Sequence, residues 1–73
     1  MTVKDIIRKM LTRRKMTQTD LADVAGFKNQ SNIAMILKNG NTMRLESLLR
    51  MADALDCDVL IRDNWTEETF KIE

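Results

Sequence analysis

The chain contains no proline, no histidine and only one cysteine among its 73 residues. Because proline is absent, no residue interrupts the hydrogen-bond ladder of a helix. The lack of histidine removes a common metal ligand and the usual group for acid–base catalysis, so we expect no metal site and no catalytic residues. Cys57 cannot form an internal disulfide, and we expect it to be a small buried apolar residue.

Long apolar runs are also missing. No stretch approaches the length of a membrane span, and the opening MTVKDIIRKML carries scattered charges, unlike the continuous apolar region of a signal peptide. We therefore expect a cytoplasmic protein with no membrane partner. With 44% apolar residues the chain can form one small domain around a single core, but it has little room for a substrate cleft. This favours a binding module without a cofactor over an enzyme.

Charge is small in total but unevenly distributed. The net charge is +1, yet residues 1–50 carry ten basic residues against four acidic ones, which gives +6. Residues 51–73 carry two basic residues against seven acidic ones, which gives −5. A basic region can bind phosphate, whereas we expect the acidic end to face away from nucleic acid.

The stretch from Thr17 to Asn39 predicts two short helices joined by a tight turn. Thr17 can cap the first helix together with Asp20, and Gly26 suits the left-handed conformation that ends a helix. Apolar residues recur at helical spacing on one face of each helix, with Phe27 returning to the core between them: Leu21, Ala22 and Ala25, then Ile33, Ile36 and Leu37. The two helices therefore share one core.

Two further helices flank this pair. Thr2 and Asp5 can cap a first helix that ends near Lys15, after which Met16 fills the core, and LESLLRMADAL supplies a fourth helix. The residues expected to face inward are Ile6, Ile7, Met10 and Leu11 in the first helix, and Leu45, Leu48, Leu49, Ala52 and Leu55 in the fourth.

The last stretch changes from helical to alternating periodicity. DVLIR and TFKIE are typical of β-strands, and the residues from Asp63 to Glu68 can form the turn of an antiparallel hairpin. Because an isolated hairpin is marginal in water, it either pairs with a second copy or covers the end of the fourth helix. We favour the homodimer, and we expect Trp65 to cap the hydrophobic core.

Polar residues cluster between the second and third helices. Lys28, Asn29, Gln30, Ser31 and Asn32 include nearly every side-chain type that can hydrogen-bond to the edges of DNA bases. Asn29 is the preferred N-cap of the third helix, with Lys28 as the alternative. A simpler interpretation is that these residues are a solvated helix start.

The motifs occur in a fixed order: Thr-Gln, Leu-Ala, Gly, a Gln-Ser-rich helix opening and an Asn-Gly end at residues 39 and 40. This order resembles that of the phage-repressor/Cro (XRE-type) helix-turn-helix family, and the resemblance covers residues 3–57. The resemblance implies a mainly α fold. Residues 1–57 would form a compact four-helix lambda-repressor-like helix-turn-helix domain, and residues 58–73 a C-terminal β-hairpin that can serve in dimerisation. It also implies a sequence-specific transcriptional regulator of a phage or mobile element, a repressor that binds a palindromic double-stranded DNA operator as a homodimer.

The resemblance further implies which residues contact DNA, because the recognition helix of this family enters the major groove by its N-terminal end. Asn29 and Gln30 can each pair with adenine, Ser31 and Asn32 can adapt to several bases, and Met35 can touch a thymine methyl group. Gln18 matches the phosphate-binding glutamine of the family. The full set of implied phosphate contacts is Thr17, Gln18, Lys28, Lys38, Asn39, Asn41, Thr42 and Arg44.

The chain departs from the family pattern at two places. Lys15 stands where members often have glycine, which makes a left-handed residue there costlier. The interval from Ile33 to Gly40 is one residue longer than usual, so either the turn or the recognition helix holds the extra residue. Depending on which it is, the base contacts shift by about one position.

Another class of function also fits the sequence. An antitoxin-like or adapter protein would use the acidic hairpin, with Trp65 and Phe70, to bind a protein partner. An enzyme is not supported, because Cys57 lies among aliphatic residues in a chain without histidine.

Overall fold

Four helices followed by a two-stranded antiparallel hairpin make up the computed structural model, which describes residues 1–28, 30–38 and 43–73, except for the side chains of residues 30–32. The elements are α1 (Val3–Arg14), α2 (Gln18–Ala25), α3 (Gln30–Lys38), α4 (Leu45–Ala54), β1 (Leu60–Arg62) and β2 (Thr69–Lys71). This order confirms the predicted mainly α fold with a C-terminal hairpin. In the described part of the chain, no helix is long and apolar enough to cross a membrane.

Capping boxes begin α1 and α2. The Asp5 amide donates to Thr2 Oγ1 at 3.2 Å, and the Thr2 amide donates to the Asp5 carboxylate at 3.3 Å. Thr17 and Asp20 repeat both bonds at 3.1 and 2.9 Å. Hydrogen bonds with the side chain and then the backbone of Thr2 hold the pKa of Asp5 below its usual range. Both predicted caps are confirmed, and they satisfy N–H groups that have no partner within the helix.

Left-handed residues end the same two helices, as predicted for Gly26. Gly26 has φ 79°, and Lys15 has φ 54° and ψ 41°. The lysine makes this conformation more costly than a glycine would, by about 1 kcal/mol. Met16 follows with its amide bonded to the Leu11 carbonyl at 3.0 Å, and its side chain packs on the core. The predicted N-cap at Asn29 lies outside the described residues.

The core lies where α1, α2, α3 and α4 meet. Its buried members are all apolar: Ile7, Leu11, Leu21, Ala22, Ile33, Leu37, Met51, Ala52 and Leu55. Around them, partly buried apolar side chains complete the packing: Val3, Met10, Met16, Ala25, Phe27, Ile36, Met43, Ala54 and Cys57. Cys57 is therefore only half-buried rather than fully enclosed, because it lies after the end of α4 at the margin of the core.

The predicted inward faces of α1 and α4 are wrong at two positions. Ile6 is 42% exposed and Leu45 is 52% exposed, whereas Met51 is completely buried. Ile7 and Leu11 occupy the centre of the α1 inner face, so Ile6 lies about 100° away on its flank. Leu45 is the first residue of α4, one turn beyond the part of the helix that packs on the core. Met51 replaces it because its position shares the stripe of Leu55, four residues on.

The hairpin projects from the helices. Leu60 pairs with Lys71, Ile61 with Phe70 and Arg62 with Thr69, and all six residues are exposed. At its base the half-buried Ile72 donates its amide to the Val59 carbonyl at 2.9 Å, and Val59 and Leu60 lie beside residues of α1 and α4. The molecule accordingly measures 40 Å along its longest axis but only 22 and 20 Å across.

Trp65 does not cap the core. The side chain is 96% exposed at the tip of the hairpin, so that prediction is wrong. Trp65 lies in the turn between β1 and β2, whose strand residues are all exposed as well. The indole is therefore left entirely to solvent or to a partner.

Candidate nucleic-acid interface

The turn between α2 and α3 is set by the way in which α2 ends. The Gly26 amide donates to the Asp23 carbonyl at 3.3 Å, and the Phe27 amide donates to the Ala22 carbonyl at 2.9 Å. These two bonds are the pattern of a helix that ends in a left-handed residue, and they reverse the chain direction within a few residues. Phe27 then packs against the core, and α3 begins at Gln30.

Arg50 in α4 holds this turn in place. Its Nε donates to the Ala25 carbonyl at 3.1 Å, and one terminal nitrogen donates to the Gly26 carbonyl. The guanidinium also stacks over the Phe27 ring, with 4.3 Å between its carbon and the ring centroid. A Cβ at residue 26 would lie 3.1 Å from the same guanidinium, so the glycine and the arginine fit each other closely.

Sequence reasoning missed this role and counted Arg50 only in the total of basic residues. The available signal was its position between Leu49 and Met51, inside the apolar run of the fourth helix. A charged residue at such a place has to find acceptors when it is partly buried. The carbonyl groups at the end of α2 are those acceptors, which links α4 to the turn that leads into α3.

Burial divides α3 into an inner and an outer face. Ile33 and Leu37 are at most 1% exposed, whereas Met35 is 65% exposed and Lys38 is exposed at the last turn. Helical spacing places position 31 on the same stripe as Met35 and Lys38. The outer face is therefore presented by a helix that is anchored firmly on its inner side.

The predicted base-reading residues fall at the start of this helix. Gln30, Ser31 and Asn32 form its first turn, with their side chains outside the described part, and Met35 follows one turn later. The first turn contains no acidic residue, so the positive end of the helix dipole is not neutralised there by its own side chains. Asn29 lies outside the described residues.

Some of the predicted phosphate-binding residues lie within the described part of the chain and others lie outside it. Gln18 is the first residue of α2 and is half-buried, and Thr17 is its exposed N-cap. Lys28 is exposed before the start of α3, and Lys38 is exposed as its last residue. Arg44 is the exposed N-cap residue of α4, without a side-chain capping bond. Asn39, Asn41 and Thr42 lie outside the described residues.

The groups at this surface are hydrogen-bonding and cationic. Among residues 1–28, 30–38 and 43–73, no three acidic or cysteine side chains are placed together where they could hold a metal ion. What the surface offers is a helix N-terminus, amide and hydroxyl side chains in the sequence of its first turn, and cations beside it. These are the groups that contact phosphates and base edges.

Comparison with known families agrees with this arrangement. A family model described as a Cro/C1-type HTH DNA-binding domain matches residues 6–60, which is most of the chain. The match spans α1 to α4 and therefore includes the turn and the whole of α3. The family resemblance seen in the sequence is thereby confirmed. The division of the chain at residue 57 stays a prediction.

Proposed function

The chain belongs to the Cro/C1-type helix-turn-helix DNA-binding family, and from this membership we propose that it is a sequence-specific repressor that binds a palindromic operator as a dimer. The family establishes a DNA-binding regulator. Base readout, repression and dimerisation are the parts that we add.

The observation that carries base readout is the anchoring of α3. Ile33 and Leu37 bury its inner face, and Arg50 fixes the turn that precedes it. In a helix-turn-helix protein such a helix places its N-terminal residues in the major groove. We assign adenine recognition to Gln30 and Asn29, adaptable contacts to Ser31 and Asn32, and contact with a thymine methyl to Met35.

Phosphate contacts would flank the recognition helix. Gln18 at the start of α2 can bind a phosphate together with the free N–H groups of that helix. The exposed cations Lys28, Lys38 and Arg44 supply the attraction that is independent of sequence. Thr17, Asn39, Asn41 and Thr42 complete the proposed set.

Dimerisation is supported by the hairpin. Ile61 and Phe70 are directly opposite each other and are 60% and 50% exposed, which is unusual for a pair of large apolar residues. Both strands of a two-stranded sheet are edge strands and can pair with another copy. A dimer would place two recognition helices on half-sites about 34–36 Å apart, and occupation of that site would exclude polymerase.

Selection of bound sequences from a random DNA pool tests this proposal. We expect an enriched inverted repeat at moderate salt, and the absence of any enriched sequence would contradict base readout. Met35→Ala should relax the preference at one thymine position in each half-site. Val24→Ala is a matched control, because Val24 is 63% exposed against 65% for Met35 but lies in α2. It should select the same sequence as the unaltered protein.

The exposed Trp65 and Phe70 favour a second candidate, an antitoxin-like or adapter protein whose main partner is another protein. A pull-down from the source cell, with nuclease added, separates the two. A partner protein that remains bound in a fixed ratio would favour the adapter. Recovery of the chain alone would favour the repressor.

A further inference from the structure

The hairpin tip presents a large aromatic side chain on an ordered backbone. The Trp65 amide donates to Asp63 Oδ1 at 2.8 Å, and the Glu67 amide donates to the Asp63 carbonyl at 2.8 Å. A third bond joins the Glu68 amide to Thr66 Oγ1 at 3.2 Å. The backbone of the turn is thus ordered by its own hydrogen bonds, while the indole is 96% exposed. A tryptophan on an ordered backbone loses only side-chain freedom when it binds a partner, which lowers the entropic cost of binding.

An apolar groove lies at the other end of the hairpin. Its walls are formed by Val3, Ile6, Met10, Leu48 and Leu60, from α1, α4 and the start of β1. The groove has a volume of about 420 Å³, within the range of roughly 300–1,000 Å³ that holds small ligands. It explains why Ile6 is partly exposed: the side chain faces this groove from the flank of α1.

The spacing of tip and groove suits a two-fold dimer. Leu60 lines the groove and Trp65 is the tip, so one hairpin length separates them, roughly 17 Å at about 3.3 Å per residue. Two hairpins that pair edge to edge about a two-fold axis perpendicular to their strands run antiparallel, so the tip of each lies beside the base of the other. The same contact then forms twice, as an isologous interface requires.

Charge favours the same arrangement. The tip carries three acidic residues, Asp63, Glu67 and Glu68. Asp58 is the charged residue in the groove lining, and its carboxylate is paired with Lys71 Nζ at 3.5 Å. Helix α1, whose apolar residues form one wall of the groove, carries five basic residues and one acidic residue outside that lining. The Arg14 guanidinium lies 4.0 Å from the sulfur of Cys57, which also lines the groove. An acidic tip would therefore approach a basic rim, which speeds association and fixes its orientation.

We propose that Trp65 of each chain docks in the groove between α1, α4 and the hairpin base of a second copy. This inference rests on the dimer of the proposed function and names its principal contact. Trp65 would be the hot spot of the interface, with Ile6 of the second copy as part of the pocket that receives it.

Trp65 is the only tryptophan, so its fluorescence reports the contact directly. The experiment follows emission wavelength and iodide quenching over a dilution series, with the mass measured by light scattering. We expect a blue shift and reduced quenching at the concentrations at which the mass doubles. Ile6→Glu should weaken the dimer at least about 30-fold and keep the emission of the free indole. Leu45→Glu is the matched control, because Leu45 has similar exposure but lies outside the groove, and it should change neither measurement.

A second variant guards against a folding defect in Ile6→Glu. Trp65→Ala removes a side chain that is 96% exposed, so it should fold normally yet dimerise at least about 30-fold more weakly. A dimer in which the indole stays exposed, or one that tolerates Trp65→Ala, would overturn the docking and leave the proposed dimer intact. A strict monomer at high micromolar concentration would overturn both, while DNA selection would still test base readout separately. Protection of the indole only by another protein would also overturn the proposal.

Discussion

Replacing Arg50 with methionine tests how firmly the helix-turn-helix turn is held. Methionine keeps most of the aliphatic length of the arginine stem but has no donor and no charge. The variant loses the bonds to the Ala25 and Gly26 carbonyls and the stacking on Phe27. The carbonyls lie near the surface, so water can replace part of what is lost.

The expected loss of stability follows from these contacts. Two hydrogen bonds contribute about 0.5–1.5 kcal/mol each. The cation–π contact at a partly exposed site adds about 0.5–1 kcal/mol. Together they give about 1.5–4 kcal/mol, which at about 4–8 °C per kcal/mol for a domain of this size lowers Tm by roughly 6–32 °C. Arg50→Lys should recover part of the loss, because it keeps the charge but not the two-pronged geometry.

Urea unfolding followed by circular dichroism measures this loss, with an unchanged m-value as the sign that only stability has changed. Arg8→Met is the matched control, since Arg8 is exposed in α1, and it should shift stability by less than about 0.5 kcal/mol. If Arg50→Met were as stable as Arg8→Met, the proposed clamp would be refuted. DNA binding gives a second readout. The salt slope of Arg50→Met should stay unchanged, because we assign Arg50 to the turn and not to phosphate.

Two further predictions concern the helix ends. Lys15→Gly should raise the free energy of unfolding by about 0.5–1 kcal/mol, because the residue is left-handed at φ 54°. Lys9→Gly inside α1 is the control and should lower the free energy of unfolding by about 1 kcal/mol. A loss of stability in both variants would contradict the left-handed conformation of Lys15. Asp5→Asn should lower Tm at neutral pH. Because the folded-state pKa of Asp5 is lowered, its contribution is complete above the unfolded-state pKa and disappears as pH falls through the folded-state pKa. A Tm difference that persists at lower pH would show that the carboxylate charge is not its source.

Local signals in the sequence predicted the helix ends well. Thr2, Thr17 and Gly26 act within a few residues of themselves, so their roles can be recognised from short patterns. Lys15 is costlier than glycine in a left-handed conformation and adopts it all the same. The cost of this backbone conformation is offset because the Met16 side chain, next in the sequence, then packs on the core.

Features that depend on long-range contacts were not predictable in this way. The role of Arg50 requires α2 and α4 to be neighbours, and periodicity alone does not show which carbonyls a half-buried arginine meets. The prediction that Trp65 caps the core is wrong because the direction of the hairpin, which local sequence does not determine, decides its exposure. The burial of Leu45 and Met51 could not be predicted for the same reason. Apolar residues at helical spacing show which face of α4 is inward, but they do not show which part of that face a neighbouring helix covers.

The central claim is that the start of α3 reads bases while the cations around it hold phosphate. Equilibrium binding of Gln30→Ala and Lys38→Ala, on the selected operator and on random duplex over a salt series, tests it most directly. Gln30→Ala should weaken operator binding roughly 10- to 100-fold and leave random binding unchanged, because a bidentate pair contributes about 1–3 kcal/mol of discrimination. Lys38→Ala should weaken both and reduce the salt slope by about 1. Equal losses on operator and random DNA for Gln30→Ala would contradict base readout by this helix.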